Sequence, residues 1–192
     1  MNVLILGPQG SGKGTQASRI AQEYALAHVA TGDMFRAAIA GRTPLGLQVQ
    51  PIYDAGELVP DELTIALFRE RLLEPDARNG FVLDGFPRNA VQADALDELL
   101  DELDRPLDAV LVLEVADHVC VERLLKRAAE EGRPDDTPEA IARRLEIYHA
   151  ETAPLVEHYL PTGKVVGIHG EGTVDEVWAE IQQALDAVEA RA

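Results

Sequence analysis

The sequence predicts an α/β fold, a phosphate-loop protein of three layers whose core is a five-stranded parallel sheet. Three observations carry this. Five short apolar runs, Val3–Leu6, His28–Ala30, Phe81–Asp84, Ala109–Val115 and Lys164–Ile168, alternate with segments of helical periodicity. The first run opens directly onto a glycine-rich stretch, Gly7-Pro8-Gln9-Gly10-Ser11-Gly12-Lys13-Gly14-Thr15. The third ends in an aspartate and continues as Gly85-Phe86-Pro87-Arg88. Ligands of such folds sit at the carboxyl ends of the strands.

The glycine-rich stretch is a strand opening onto a phosphate loop. Without Cβ atoms, Gly7, Gly10 and Gly12 can take positive φ and turn backbone N–H groups inward. The helix that follows adds its positive N-terminal dipole, and Lys13 sits where its ammonium reaches the outer phosphates. The spacing matches G-x-x-x-x-G-K-[ST] with one departure. Gly14 stands where Ser or Thr usually holds Mg²⁺, and Thr15 comes one place late.

Residues 31–60 follow the second run. They begin Thr31-Gly32-Asp33 and carry Gly41, Pro44, Gly46, Pro51, Gly56 and Pro60, which predicts short helices on hinges. Thr43-Pro44 is an N-cap with proline at the first helical position, and Thr137-Pro138 repeats it. In the third run, Asp84 lies beside the phosphate loop if the two strands are neighbours, where a carboxylate can orient Mg²⁺ directly or through water. Asp97, Glu98, Asp101, Glu102 and Asp104 form a solvated helix face. Cys120 falls in a helical apolar pattern and reads as a small core residue. Residues 128–136 are polar and turn-rich, the composition of a short lid. Ile141, Leu145, Tyr148 and Leu155 share a helical face that Pro154 kinks or interrupts. Thr173 to Glu176 fits a capping box, from which Val177, Ile181, Leu185 and Val188 run as a stripe.

Composition narrows the function. At 192 residues the chain is most simply one domain, with no apolar run long enough to cross a membrane and no secretory leader, so a cytoplasmic location is expected. A single cysteine leaves no disulfide framework and no cysteine cluster for structural zinc. The net charge of −17 argues against nucleic acid or a membrane surface as partner, both being anionic. A phosphate loop nevertheless needs an anionic ligand, so the 17 basic residues must be placed with care. The acidity itself also predicts tolerance of high salt.

Three motifs in this order make the chain resemble the adenylate and related nucleoside monophosphate kinases. They are the loop ending Gly12-Lys13-Gly14-Thr15, the segment Thr31-Gly32-Asp33-Met34-Phe35-Arg36, and Asp84-Gly85-Phe86-Pro87-Arg88 followed by Gln92. The resemblance runs from the first strand to Gly172, and Gly14 is that family's own variant. It implies a core of residues 1–30, 61–126 and 138–192, a helical monophosphate-binding insertion at 31–60 and a short lid at 127–137. It further implies an ATP site at Gly10, Ser11, Gly12, Lys13, Gly14 and Thr15, with Arg127 and the Gly172 backbone near the adenosine end. An AMP site is implied at Thr31, Arg36, the Glu57, Leu58 and Val59 backbone, Gly85, Phe86, Pro87, Arg88 and Gln92, joined on lid closure by Arg133 and Arg144. Lys13, Arg88, Arg123, Arg133 and Arg144 would act on the transferring phosphoryl group, and Thr15 and Asp84 would hold Mg²⁺. Arg123 and Arg127 are four residues apart, on one helical face. Asp135 and Asp136 either steady the lid arginines or cap the helix at Thr137.

Seven of the 17 basic residues fall in this set, which accounts for an anion site on an acidic protein. Unlike charges about 4 Å apart attract by roughly 4 kcal/mol at an effective dielectric of about 20, so converging arginines override a diffuse field. ATP with Mg²⁺ and AMP are therefore the expected ligands of a monomer. Base choice rests on Gln92, whose amide offers a donor and an acceptor to the adenine edge, and on Thr31. The pyrimidine kinases of the family carry Asn and Ala at those places, but share Asn89. A UMP/CMP kinase is thus the neighbouring alternative. A phosphate-loop nucleotide switch is the alternative from another class, against which the downstream arginines argue. A kinase for a small metabolite is disfavoured by Asp84 to Arg88.

Overall fold

A computed structural model describes residues 1–133 and 136–190. The strands are β1 (Asn2–Leu6), β2 (Ala27–Ala30), β3 (Phe81–Asp84), β4 (Ala109–Glu114) and β5 (Val165–His169), matching the apolar runs to within one residue at each end. The helices in chain order are α1 (Lys13–Glu23), α2 (Thr31–Ala40), α3 (Pro44–Asp54), α4 (Asp61–Leu72), α5 (Ala90–Glu102), α6 (Asp117–Glu131), α7 (Pro138–Ile147), α8 (Leu155–Tyr159) and α9 (Val174–Glu189). All strand pairs are parallel, in the order β2-β3-β1-β4-β5. After β1 the chain moves to one edge, and after β3 it crosses to the other side of β1. The direction of winding therefore reverses at β1, and a crevice opens at its carboxyl end.

Strand alternation sorts side chains onto two cores. Leu4 and Leu6 face a cluster with Phe68, Leu72, Phe86 and Leu96 from α4, α5 and the β3 end. Val3 and Ile5 face the other side, with Ala17, Ile20, Ile181 and Leu185 from α1 and α9. The central strands are buried on both faces, which is why they read as continuous apolar runs. A small third cluster, Phe35, Val49, Tyr53 and Val59, lies in residues 31–60 and packs against Leu63 and Leu67 of α4. A fourth cluster joins Cys120 and Leu124 of α6 to Ile141 and Leu145 of α7.

The capping signals act as expected. The hydroxyls of Thr43, Thr137 and Thr173 accept from the backbone N–H of Gly46, Ala140 and Glu176, and Thr173 with Glu176 closes a capping box. The interruption near Pro154 starts earlier than the proline itself. α7 ends at Ile147 and a π-helical turn over Tyr148–Thr152 follows, with Ala153 N donating to Tyr148 O at 2.8 Å. Proline has no N–H and its ring excludes the carbonyl four residues back, so the widened turn re-registers the chain before α8.

Candidate active site

The crevice at the strand ends is a cavity of about 780 Å³. β1 delivers the phosphate loop to it. Gly7, Gly10 and Gly12 have φ of 151°, 86° and 93°, and Gly12 in the left-handed region is the N-cap of α1. At Gly10 the requirement is steric as well, since a Cβ would lie 2.6 Å from the carbonyl oxygen of Cys120. The thiol-bearing helix α6 is packed directly against the loop. Lys13 Nζ donates to the Gly7 and Pro8 carbonyls at 2.7 and 2.8 Å, bracing the loop from inside. Burial lowers its pKa to about 8, only partly opposed by the Asp84 carboxylate. An anionic phosphate is the partner that would relieve this cost.

The register of β1 and β3 pairs Ile5 with Asp84, so the carboxylate stands beside the loop as the sequence required. Burial opposes its ionisation, but His28 and Lys13 outweigh burial and hold its pKa below the usual carboxylate value. His28 Nε2 lies 3.9 Å from Asp84 Oδ2, is buried, and has no hydrogen-bond partner among the described residues. Gly14 faces this carboxylate, and a Cβ there would stand 3.4 Å from Asp84 Oδ2, an ordinary contact distance. Thr15 and Asp84 both line the cavity, and among the described residues no group of three or more His, Cys, Asp or Glu could cage a metal. That donor set fits Mg²⁺, which keeps several waters and takes few protein ligands when phosphates supply the rest.

Arginines from other elements line the same cavity as the loop. Arg36, Arg88, Arg123, Arg127, Arg133 and Arg144 all reach the cavity wall. Arg123 Nη1 donates to Gly170 O at 2.9 Å, with longer contacts to Ser11 O and Glu171 O, so it ties the β5–α9 turn to the phosphate loop. Asp136, almost fully buried, receives Arg127 at 2.6 and 2.9 Å on one oxygen and Arg144 at 3.1 Å on the other. Of the two readings for Asp136, the structure has it steady the arginines, while Thr137 caps α7. Asp135 lies outside the described residues. Arg144 Nη2 also donates to the Tyr53 carbonyl at 3.1 Å, and Arg36 Nη1 donates to the Tyr53 hydroxyl at 2.6 Å. Arg133 pairs with Glu131 at 2.6 Å. Arg88 Nε donates to Gly85 O at 2.7 Å; burial, then Arg144 and Arg36 nearby, lower its pKa.

The remaining residues divide. Leu58, Gly85, Pro87, Gly172 and loop residues Gly10 to Thr15 line the cavity. Thr31, Glu57, Val59, Phe86 and Gln92 do not. Thr31 is buried just behind the wall, its hydroxyl donating to Gly85 O at 2.8 Å. The Phe86 ring stacks on Phe68 at 4.1 Å and belongs to the core. Glu57 turns outward to a two-pronged ion pair with Arg143, at 2.7 and 3.1 Å. Gln92 is 1% exposed, its amide taken up by Arg88 N and Asp61. Asn89 is the N-cap of α5, accepting from Gln92 N at 2.9 Å, so its presence has a local reason independent of the base. His28, Tyr53 and Asp61 were not singled out in the sequence. For His28 the signal was a ring able to hydrogen-bond within an otherwise apolar strand.

Comparison with known proteins agrees with this geometry. A family model described as adenylate kinase matches residues 5–164. A protein of Bifidobacterium longum named adenylate kinase is 52% identical over 186 residues, 97% of this chain and 100% of that protein. Its namesake in Stenotrophomonas maltophilia strain K279a is 48% identical over 187 residues, 97% of this chain and all of the other. One from Xanthomonas campestris pv. campestris strain 8004 is 46% identical over 185 residues, 96% and 99% of the two chains. With a phosphate loop, a strand-end carboxylate and an arginine wall around one cavity, and these relatives over nearly its whole length, the chain belongs to the adenylate kinase family of nucleoside monophosphate kinases.

Proposed function

We propose that the enzyme reversibly transfers the γ-phosphoryl group of Mg·ATP to AMP, giving two ADP. The observation that carries this is the convergence, on one cavity, of a phosphate loop and arginines from several other elements. A nucleotide switch needs the first element but not the second. Little covalent chemistry falls to the protein: a phosphate oxygen of AMP attacks in line, and catalysis is positioning plus charge stabilisation. Lys13 and the amides of Gly10 to Thr15 would hold the β- and γ-phosphates. Arg88, held by Gly85 O, would bridge donor and acceptor. Arg123, Arg133 and Arg144 would surround the transferring group, and Arg127 with the Gly172 backbone would meet the adenosine end of ATP. Thr15 and Asp84 would hold Mg²⁺, directly or through water; when bound, the ion neutralises phosphate charge and orients the oxygens.

On the acceptor side, Arg36 would take the AMP phosphate, with Leu58, Gly85, Pro87 and the backbone of Glu57, Val59 and Phe86 against the nucleoside. Gln92 and Thr31 would read the base. We further propose that residues 31–60 and 127–137 close over the core of 1–30, 61–126 and 138–192, excluding water so that ATP is not hydrolysed. The apolar cluster Phe35, Val49, Tyr53 and Val59 supports residues 31–60 holding together as a unit, with Leu63 and Leu67 of α4 packed against it. A cytoplasmic monomer without nucleic-acid partners is the setting we propose; among the described residues no helix is long and apolar enough to cross a membrane.

The test is ADP formation from Mg·ATP with AMP, CMP, UMP or GMP as acceptor, beside Arg88→Ala. Fast turnover with AMP alone, reduced on the order of 10³-fold or more in the variant, is the expected result. Preference for CMP or UMP would keep the mechanism and overturn the base reading. ATP binding with no acceptor-dependent turnover would point to a switch.

A further inference from the structure

Behind the acceptor wall lies a polar network that the proposed mechanism does not use. Asp61, the first residue of α4, accepts on Oδ1 from Gln92 Nε2 at 2.7 Å and from Asn89 Nδ2 at 2.9 Å. Gln92 Oε1 in turn accepts from the backbone N–H of Arg88 at 2.8 Å. The polarity of this network admits one solution. A backbone N–H can only donate and an ionised carboxylate can only accept, so the Gln92 oxygen must face Arg88 and its NH₂ must face Asp61. A glutamine amide held at one end alone can turn over at modest cost, but held at both ends it cannot. After these bonds the amide keeps one N–H and one lone pair for a ligand.

We propose that Asp61 is a specificity-determining positioning residue: it locks the Gln92 amide in one of its two orientations, so that the pocket accepts 6-aminopurine and rejects 6-oxopurine monophosphates. This rests on Gln92 being the base reader. A 6-aminopurine presents a donor at its exocyclic nitrogen and an acceptor at the adjacent ring nitrogen. A 6-oxopurine presents the reverse at the same two places. With the amide locked, the wrong base sets donor against donor and acceptor against acceptor, in a site too buried for water to compensate. With Asp61 removed, a half-turn of the amide suits the wrong base and forfeits only the bond from the Arg88 N–H, whereas in the wild type it forfeits that bond and the one to the carboxylate as well. Asp61 would act at a distance from the ligand, since it is Gln92 that meets the base.

The experiment compares kcat/KM for AMP and for inosine monophosphate, which differs from AMP only at this edge, in the wild type, Asp61→Ser and Asp61→Asn. Serine is accepted at a helix start but is too short to reach Gln92, whereas asparagine keeps an acceptor oxygen. The AMP-to-inosine ratio is expected to fall by about tenfold or more in Asp61→Ser and to be largely kept in Asp61→Asn. The KM for ATP should not move. The ratio does not depend on how much of a variant is folded, so a loss of stability leaves it readable. Equal losses for both acceptors, with the ratio unchanged, would make Asp61 a merely structural residue and overturn the proposal. A wild type that uses both acceptors equally would instead remove Gln92 as base reader, and the lock with it.

Discussion

The two ends of the cavity are built in different ways. At the end proposed for the donor, nine consecutive residues, Gly7 to Thr15, combine backbone amides, one lysine and a helix start. At the end proposed for the acceptor, Arg36 comes from α2, Tyr53 from α3 and Arg144 from α7, with Asp61 of α4 and Gln92 of α5 behind the wall. Backbone chemistry can be concentrated in one turn because each residue supplies an N–H at fixed spacing. Guanidinium and amide chemistry needs side chains converging from several directions, each held by partners distant in sequence. Asp136 grips Arg127 and Arg144 together, and Tyr53 links Arg36 to Arg144 through its hydroxyl and its carbonyl. The donor end should therefore fail at single positions, as should Arg88 where the two ends meet, whereas losses over the rest of the acceptor end should be graded.

The largest effect is expected from Lys13→Met. Turnover should fall on the order of 10³-fold or more, because no other residue of the loop carries a cation to the phosphates. Residual activity within tenfold of wild type, measured as ADP formation, would break the asymmetry between the ends.

Next is Gly10→Val, which meets the Cys120 carbonyl and the Leu124 side chain at a positive φ. A loss of about 3 kcal/mol in denaturant unfolding, with loss of ATP binding, is expected. Unchanged stability would mean that α6 does not rest on the loop.

Asp136→Asn should be milder. It keeps the shape but removes the charge shared by Arg127 and Arg144, and a roughly tenfold fall in kcat, with ATP binding weakened through Arg127, is expected. A collapse as deep as that of Lys13→Met would show the acceptor end to be no more distributed than the donor end.

Raising salt to molar levels tests the contrast between a basic cavity and a chain of net charge −17. Screening relieves self-repulsion, so the melting temperature should hold or rise. A steep loss of folded protein would contradict this.

The smallest effect concerns Glu176, whose carboxylate accepts from the Thr173 N–H and hydroxyl at the start of α9. These bonds lower its pKa, so its contribution is present above the unfolded value and disappears as pH falls through the lower folded value. Glu176→Gln should therefore lower the melting temperature slightly at pH 7 and less in acid. An equal change at both pH values would exclude an ionic contribution.

Much of this was legible because it is local. The apolar strands, the three threonine caps and the loop glycines each depend on a few neighbouring residues, and the structure has them where periodicity and capping chemistry put them. Tyr53 and Asp61 were not legible. A tyrosine near the end of a short helix and an aspartate at the start of another have ordinary local explanations, and only packing brings them to Arg36 and Gln92. The placement of Gln92 behind the wall, and the outward turn of Glu57 toward Arg143, likewise depend on residues 31 and 86 positions away.

By itself the sequence determined the parallel α/β architecture, the phosphate loop and the family resemblance, because hydrophobic period, glycine freedom and motif spacing are properties of short stretches. The tertiary structure alone decided that Asp136 is an arginine clamp, that Asn89 is a cap, and that the Gln92 amide has only one orientation open to it. Donors and acceptors are listed in a sequence, but which of them meet depends on elements folding together, and a buried amide takes its direction from the partners it meets there.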